Sequence, residues 1–191
     1  MIKQILFISL VLSFKWVHGE NLDVKTIPKA RLKMLDGEYA HLSDFNNDGP
    51  IIINFWTTWW PFCERQLAYL DQLNTSFKNT GLQVLAVNQN KPKIVNQVGS
   101  YIRKRKYKFN TAIDPLGKLA DKLNIKTLPT TILADKNGNI IYRSVGYKDG
   151  MENEYLSELI KYLDQENIEY DDFKFEDKSA RRKKAILDVE F

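Results

Sequence analysis

Cysteine is almost absent from this chain of 191 residues, which contains Cys63 and no other. A single cysteine cannot close an intramolecular disulfide, so its thiol is either free or paired with another molecule. Histidine is equally scarce, with His18 and His41. These residues fall short of the four ligands that a structural zinc site usually takes, so we expect no metal site. We expect no other cofactor.

The chain also lacks a strong excess of either charge. It contains 28 Lys and Arg against 24 Asp and Glu, and removal of residues 1–19 would leave 26 against 24. This balance does not favour a nucleic-acid partner. The basic run at residues 103–106 falls where a helix is predicted to end, and cations there complement the helix dipole. We therefore expect no nucleic acid to bind.

Long hydrophobic runs are missing except near the N-terminus. Residues 5–14 are apolar apart from two serines, Lys3 precedes them, and the small residue Gly19 follows. This order is typical of a secretory signal peptide over residues 1–19, and the run is shorter than the roughly 20 residues that span a bilayer. We expect export to the periplasm or another extracytoplasmic space. An uncleaved membrane anchor and a core helix of a cytosolic protein are the alternatives, and we expect no integral membrane span in the mature chain.

Hydrophobic residues make up 43% of the chain, enough for one packed domain with short extensions. We predict a polar lead-in at residues 20–29, a single domain at 30–165 and a charged, solvated tail at 166–191. Alternating residues on either side of Asp36-Gly37 predict a β-hairpin. After it, hydrophobic periodicity predicts strands at 51–56, 82–87, 108–113, 130–134 and 139–145, and helices at 62–78, 93–106, 114–123 and 151–165.

This order of elements predicts an α/β fold. Strands that alternate with helices form a central mixed β-sheet with helices on both faces, here preceded by the N-terminal β-hairpin. The continuous β-branched and aromatic run at residues 51–56 is typical of a strand that is buried on both faces.

One segment carries the chemical information. Trp59-Trp60-Pro61-Phe62-Cys63 leaves a buried strand and enters a helix, where the helix N-terminus stabilises a thiolate. Together with Leu128-Pro129-Thr130 ahead of a strand and with Asp114-Pro115, it resembles the thioredoxin superfamily. Within that superfamily the chain is similar to the exported TlpA/ResA-like thiol-disulfide oxidoreductases. The resemblance runs from about residue 30 to 165 and implies a thioredoxin-like fold.

The chain departs from this family at its reactive position. The family motif is Trp-Cys-x-x-Cys, and here Trp60 stands at the first cysteine and Cys63 at the second. The first cysteine is normally the attacker and the second resolves the mixed disulfide. Family members also carry a glutamate in the loop after the second core strand, where this chain has Lys91. The resemblance therefore implies that two-cysteine exchange is absent or weak.

Pro129 resembles the cis-proline that faces the dithiol in the superfamily. An extended peptide can pair with backbone beside such a proline. We therefore predict a binding module that holds a peptide or protein partner in a groove. The predicted groove consists of Trp59, Trp60, Pro61, Phe62, Leu128, Pro129 and Thr130.

Other functions stay open at this point, and the sequence does not decide whether the chain is an enzyme. Cys63 is the one candidate catalytic residue, and alone it would form mixed disulfides or a sulfenic acid, as in a peroxidase. The peroxiredoxins, which are related in fold, carry Thr or Ser three residues before their reactive cysteine, and Trp60 at that place argues against the reaction. Cys63 is alternatively an inert buried thiol, and Trp60 a cover for apolar surface. A structural role in an envelope complex would rest on the charged tail. The oligomeric state is not indicated.

Overall fold

The computed structural model describes residues 24–148 and 150–176. The predicted signal peptide, the first residues of the lead-in and residues 177–191 of the tail lie outside the described residues. The strands are β1 (Arg31–Met34), β2 (Tyr39–His41), β3 (Ile51–Trp56), β4 (Gln83–Asn88), β5 (Asn110–Ile113), β6 (Thr130–Ala134) and β7 (Ile140–Val145). The α-helices are α1 (Pro61–Ser76), α2 (Gln97–Arg105), α3 (Lys118–Lys122) and α4 (Met151–Gln165).

The seven strands form one mixed sheet in the order β2-β1-β5-β4-β3-β6-β7. β3 lies inside the sheet between β4, to which it is parallel, and β6, to which it is antiparallel. The predicted hairpin is present as the antiparallel pair β1 and β2, which joins the sheet through β5. All six side chains of β3 are buried, as its continuous apolar run predicted. The predicted mixed sheet is therefore confirmed.

The two faces of the sheet have separate cores. On one face, residues of α1, α2 and α4 pack against alternate strand residues such as Ile52 and Trp56. On the other face, α3 packs against the intervening residues, such as Ile53 and Phe55. Because side chains alternate along a strand, one strand serves both cores. Helices therefore cover both faces, as predicted.

Two helices begin later than the sequence predicted. α2 begins at Gln97 instead of residue 93, after a run of turns. α3 begins at Lys118 instead of residue 114, because the Asp114 carboxylate accepts hydrogen bonds from the N–H groups of residues 118–120. Leu116, expected on this helix, lies before it and is exposed. A carboxylate that binds the first N–H groups of a helix marks its start rather than its interior.

The tail also differs from the prediction over the residues that the structure describes. Residues 168–176, here called the C-terminal strap, return across α1 without helical structure. Its partly buried apolar residues pack against the core, with Phe175 and Phe173 ring centroids 4.9 and 5.4 Å from that of Tyr69. Gln72 exchanges two hydrogen bonds of 2.9 Å with the backbone of Glu176. This part of the tail is packed, not a solvated spacer.

The N-terminal end of the described chain pairs with the beginning of β7. Thr26 and Asn139 form an antiparallel bridge, and the Ile140 N–H donates to the Lys25 carbonyl at 2.8 Å. This contact lies at the end of the sheet opposite Val145, where β7 finishes. Among the residues described, no helix is long and apolar enough to cross a membrane.

Candidate functional site

The loop between β3 and α1 presents the motif that the sequence singled out. Trp60 is the N-cap of α1 with extended backbone angles, and Pro61 takes the first helical position. Proline suits that position because its missing N–H would have no helical partner there. The helix then runs for 16 residues. At its N-terminal end the side chains of Trp60 and Phe62 are exposed, whereas that of Cys63 is buried in the core.

Cys63 is fully buried and belongs to the core under α1. Burial raises the pKa of its thiol to about 11, and a hydrogen bond with the Thr57 backbone offsets part of that rise. With such a pKa, about one thiol in ten thousand is ionised at pH 7. Because the thiolate is the nucleophile, the Cys63 side chain is held in its unreactive form.

An aromatic patch, defined here as Trp59, Trp60, Phe62 and Tyr147, covers the surface above this thiol. Trp59 and Trp60 are 60% and 39% exposed, and their ring centroids are 5.4 Å apart with planes at 88°. The Phe62 ring follows at 6.1 Å from Trp60 and lies 6.0 Å from Tyr147. Tyr147 was not predicted as a site residue. A lone tyrosine after a strand carries no sequence signal for this contact.

The proline side of the predicted groove is less accessible than the tryptophan side. The Leu128-Pro129 peptide bond is cis. Pro129 and Thr130 are buried, Leu128 is half-buried, and the Pro129 carbonyl accepts the Gly146 N–H at 2.7 Å. Of the seven predicted groove residues, Trp59, Trp60, Pro61 and Phe62 are exposed. These four and Leu128 therefore supply the surface that a partner can reach.

Asn90 holds the tryptophan loop in place, and sequence reasoning missed it. Its buried side chain accepts the Thr58 N–H at 3.0 Å and donates to the Thr58 hydroxyl at 2.7 Å and to the Ile94 carbonyl at 3.3 Å. The two bonds to Thr58 fix the two loops against each other, and the bond to Ile94 braces the loop that carries Asn90. Asn90 directly precedes Lys91 in the loop after β4.

A buried polar cluster lies beneath the motif, one helical turn beyond Cys63. The Asn54 amide donates to the Gln66 side-chain oxygen at 2.8 Å and to the Thr131 hydroxyl at 3.0 Å, and the Gln66 amide donates to the same hydroxyl at 2.8 Å. None of the three side chains is titratable. The cluster joins α1 to two strands but offers no acid or base to a reaction.

The carboxylate that follows Cys63 in the sequence is paired. The exposed Glu64 forms a salt bridge with Arg105 at 2.9 Å. No group of three or more His, Cys, Asp or Glu within residues 24–148 and 150–176 is placed to hold a metal ion. The described site therefore combines a buried thiol with exposed indole rings.

Comparison with known proteins agrees with the predicted resemblance. Residues 24–143 match the AhpC/TSA family. Thiol-disulfide oxidoreductase ResA of Geobacillus kaustophilus is 36% identical over 60% of this chain and 64% of its own length. Thiol-disulfide oxidoreductase ResA of Bacillus thuringiensis is 31% identical over 73% of this chain and 77% of its own length. The chain thus spans somewhat less than two thirds of the first relative and about three quarters of the second.

Among solved structures, a Chlorobium tepidum protein described as a thiol:disulfide interchange protein DsbE is similar. It superimposes with a TM-score of 0.67 over 73% of this chain and 96% of that chain, at 24% identity. At this identity the likeness establishes the fold alone. The thioredoxin-like fold predicted from the motifs is confirmed.

Proposed function

The chain belongs to the AhpC/TSA family and is ResA-like within it, and from this membership we propose that it is an exported binding protein that has lost dithiol exchange. Its ligand is an extended peptide or protein segment held on the aromatic patch. The ResA relatives are thiol-disulfide oxidoreductases by name. This chain has the same thioredoxin-like fold, but Trp60 stands at the position of the attacking cysteine.

One observation carries the proposal: an exposed indole stands where the attacking thiol belongs, above a thiol that solvent does not reach. Trp60 is 39% exposed and Cys63 is 0% exposed. Dithiol reduction needs one thiolate to attack a substrate disulfide and a second thiol to release the product. A chain with one cysteine lacks the second thiol. The mixed disulfide, if formed, would not resolve within the molecule.

The aromatic patch supports the binding half of the proposal. Exposed tryptophans are uncommon on surfaces without a partner, and aromatic anchors often dominate protein contacts. Phe62, 52% exposed, extends the same surface. The Asn90 hydrogen bonds to Thr58 hold the loop before a partner arrives, which lowers the entropic cost of binding.

Single-cysteine chemistry is the alternative, and the burial of Cys63 weighs against it. A peroxidatic or mixed-disulfide cysteine needs a low pKa and access to its substrate, whereas burial raises the pKa of this thiol to about 11. The structural role in an envelope complex rested on a solvated tail. Residues 168–176 instead pack on the core, so they are not available as a free docking segment.

The experiment is a capture assay from envelope extract with the wild type, Trp60→Ala and Cys63→Ser. We expect the wild type to capture a partner that resists reducing agent, Trp60→Ala to weaken capture at least tenfold, and Cys63→Ser to preserve it. Tyr39→Ala is the matched control, because Tyr39 is 56% exposed and lies on the far edge of the sheet. Recovery of a reducible adduct that disappears in Cys63→Ser would overturn the proposal in favour of single-cysteine chemistry.

A further inference from the structure

The sheet register brings two loops beside the tryptophan loop. β3 and β4 are parallel, with Trp56 opposite Asn88, so residues after Asn88 run alongside residues 57–60. β3 and β6 are antiparallel, with Phe55 opposite Thr130, so residues before Thr130 flank the same loop on its other side. The Asn90 bonds to Thr58 confirm the first contact. The tryptophan loop therefore lies between the β4–α2 loop and the α3–β6 loop.

These surroundings carry charge of one sign. Residues 57–62, 89–96 and 124–130 contain three lysines and no Asp or Glu. The lysines, here called the basic rim, are Lys91, Lys93 and Lys126, and all are exposed. None of them forms an ion pair within the described part of the chain. Lys148 also follows Tyr147, but Asp149 comes next in the sequence, so we leave Lys148 out of the rim.

Described carboxylates near these loops have partners of their own. Asp114 is buried and accepts hydrogen bonds from the Gln89 side chain at 3.0 Å and from the first N–H groups of α3. Glu64 forms a salt bridge with Arg105. Glu152 is buried, accepts the Tyr147 hydroxyl at 3.1 Å and the Gly150 N–H at 3.1 Å, and lies 3.5 Å from the Arg65 guanidinium. The lysines of the rim thus lie on loops that flank the tryptophan loop and have no ion-pair partner among the described residues, and a surface with charge of one sign attracts ligands of the other.

We propose that the partner of the aromatic patch is an acidic, extended protein segment with an aromatic or aliphatic side chain between its carboxylates. This inference rests on the proposed function and adds the chemistry of the partner. The apolar side chain packs on Trp60 while flanking carboxylates pair with lysines on both sides of the loop. We take the occupant to be a protein segment and not a lipid surface, because aromatic anchors often dominate protein contacts and Trp59, Trp60 and Phe62 are all exposed here.

Two synthetic heptapeptides test the proposal on the full chain. Each has a central Phe and blocked ends, one with three Glu on each side and the other with three Gln. Tryptophan fluorescence reports binding. We expect the Glu peptide to bind at least tenfold more tightly than the Gln peptide at about 20 mM salt. The preference should vanish near 1 M salt, where the Debye length falls to roughly 3 Å.

Matched lysine variants assign that preference to the rim. The triple variant Lys91→Gln, Lys93→Gln and Lys126→Gln should bind both peptides with equal affinity. A control with the same net charge, Lys25→Gln, Lys78→Gln and Lys108→Gln, should keep the wild-type preference, because these exposed lysines lie at the end of the sheet opposite the tryptophan loop. Circular dichroism verifies that each variant is folded.

The possible failures are distinguishable. Equal binding of both peptides by the wild type, weakened in Trp60→Ala, would overturn the acidic partner and leave the proposed function intact. No Trp60-dependent binding of either peptide would overturn both. Binding to phosphatidylglycerol vesicles but to neither peptide would replace the protein segment with a membrane surface. If the control variant loses the preference for the Glu peptide to the same extent, the preference comes from net charge, and the proposed role of the basic rim is wrong.

Discussion

The Trp60 carbonyl accepts a hydrogen bond from the Cys63 N–H at 3.0 Å, yet the two side chains lie in opposite environments. The Trp60 indole is exposed to solvent, and the Cys63 thiol is buried in the core. The first turn of α1 therefore separates the position that meets a partner from the position that carries sulfur. In a dithiol site cysteines occupy the positions of both Trp60 and Cys63. The exposed position would then carry the attacking thiol and the buried position the resolving one.

The first prediction concerns the reactivity of Cys63. Alkylation of the native protein at pH 8 should be at least a hundredfold slower than after denaturation. With a native pKa of about 11 against an ordinary 9.0, the thiolate fraction alone differs roughly hundredfold. The native rate should still rise above pH 9, since most of the thiol remains protonated there. Mass spectrometry of timed aliquots measures both rates.

A surface thiol calibrates that measurement. Ser100→Cys in a Cys63→Ala background places a cysteine at an exposed position of α2 and should react at pH 8 at the rate of the denatured chain. If native Cys63 reacts as fast as this control, the thiol is accessible and the buried assignment is wrong.

The second prediction concerns the missing attacker. Trp60→Cys creates Cys-Pro-Phe-Cys at the start of α1, and we expect it to form an intramolecular disulfide on mild oxidation. The wild type should not catalyse insulin reduction, and the variant should gain measurable activity. The gain should be limited, because the loop after β4, residues 89–96, carries no carboxylate to assist proton transfer. Loss of two hydrogens by mass and an insulin turbidity assay are the measurements.

Trp59→Cys is the control for this gain. It adds a cysteine to the same loop, one residue too early for the family spacing, and should not restore turnover. Insulin reduction by the wild type at the rate of an ordinary dithiol thioredoxin would contradict the loss of exchange.

The third prediction concerns Asn90. Asn90→Ala should lower the free energy of unfolding by about 1–3 kcal/mol, because it leaves the Thr58 N–H and the Ile94 carbonyl without their partner. It should also weaken partner capture, since the tryptophan loop is no longer held. Urea denaturation gives the stability. Asn110→Ala is the control, because the exposed Asn110 amide donates one hydrogen bond, to the Gln83 side chain at 3.3 Å. If both variants lowered the free energy of unfolding equally, the hydrogen bonds of Asn90 would have no special role.

The fourth prediction concerns the C-terminal strap. Phe173→Ala should cost about 2 kcal/mol, since its ring contacts both Tyr69 and Phe77 and is half-buried. Lys174→Ala, at the exposed neighbouring position, should change stability by less than about 0.5 kcal/mol. Thermal unfolding distinguishes the two. A strap that is merely solvated would give the same small effect for both variants.

The fifth prediction concerns the leader. Protein isolated from its native host should begin near Glu20, because Gly19 supplies the small residue that signal peptidase requires. Intact mass measures this directly. Residues 1–19 retained in a membrane fraction would instead favour an anchor, and a cytosolic full-length chain would contradict export.

Much of the fold was predictable because it follows from short-range patterns. The bounds of β3, β6 and α4 agree with the sequence residue for residue, since continuous apolar runs and a helical repeat define them. The predicted starts of α2 and α3 were wrong. The Asp114 carboxylate holds the first turn of α3, and residues 92–96 form turns before α2 begins. Such bonds depend on geometry that periodicity does not encode.

The candidate site was predictable only in part, for a related reason. The motif placed Trp60 and Cys63 at the helix start, but one sequence does not say which side chains the fold buries. Tyr147 and the strap reach their contacts across long sequence separations, with Gln72 and Glu176 104 residues apart. Contacts between residues so far apart in sequence can be identified only once the positions of the strands and helices are known.

The bridge between Thr26 and Asn139 gives the domain a polarity. It fastens the N-terminal segment to the start of β7, whereas the aromatic patch lies beyond Val145, where that strand ends. The strand is six residues long, so about 20 Å separates the two points. If the chain were attached to a membrane ahead of Lys25, the attachment would lie at the end of the sheet opposite the aromatic patch. The tryptophans would then face away from the bilayer, toward partners in solution.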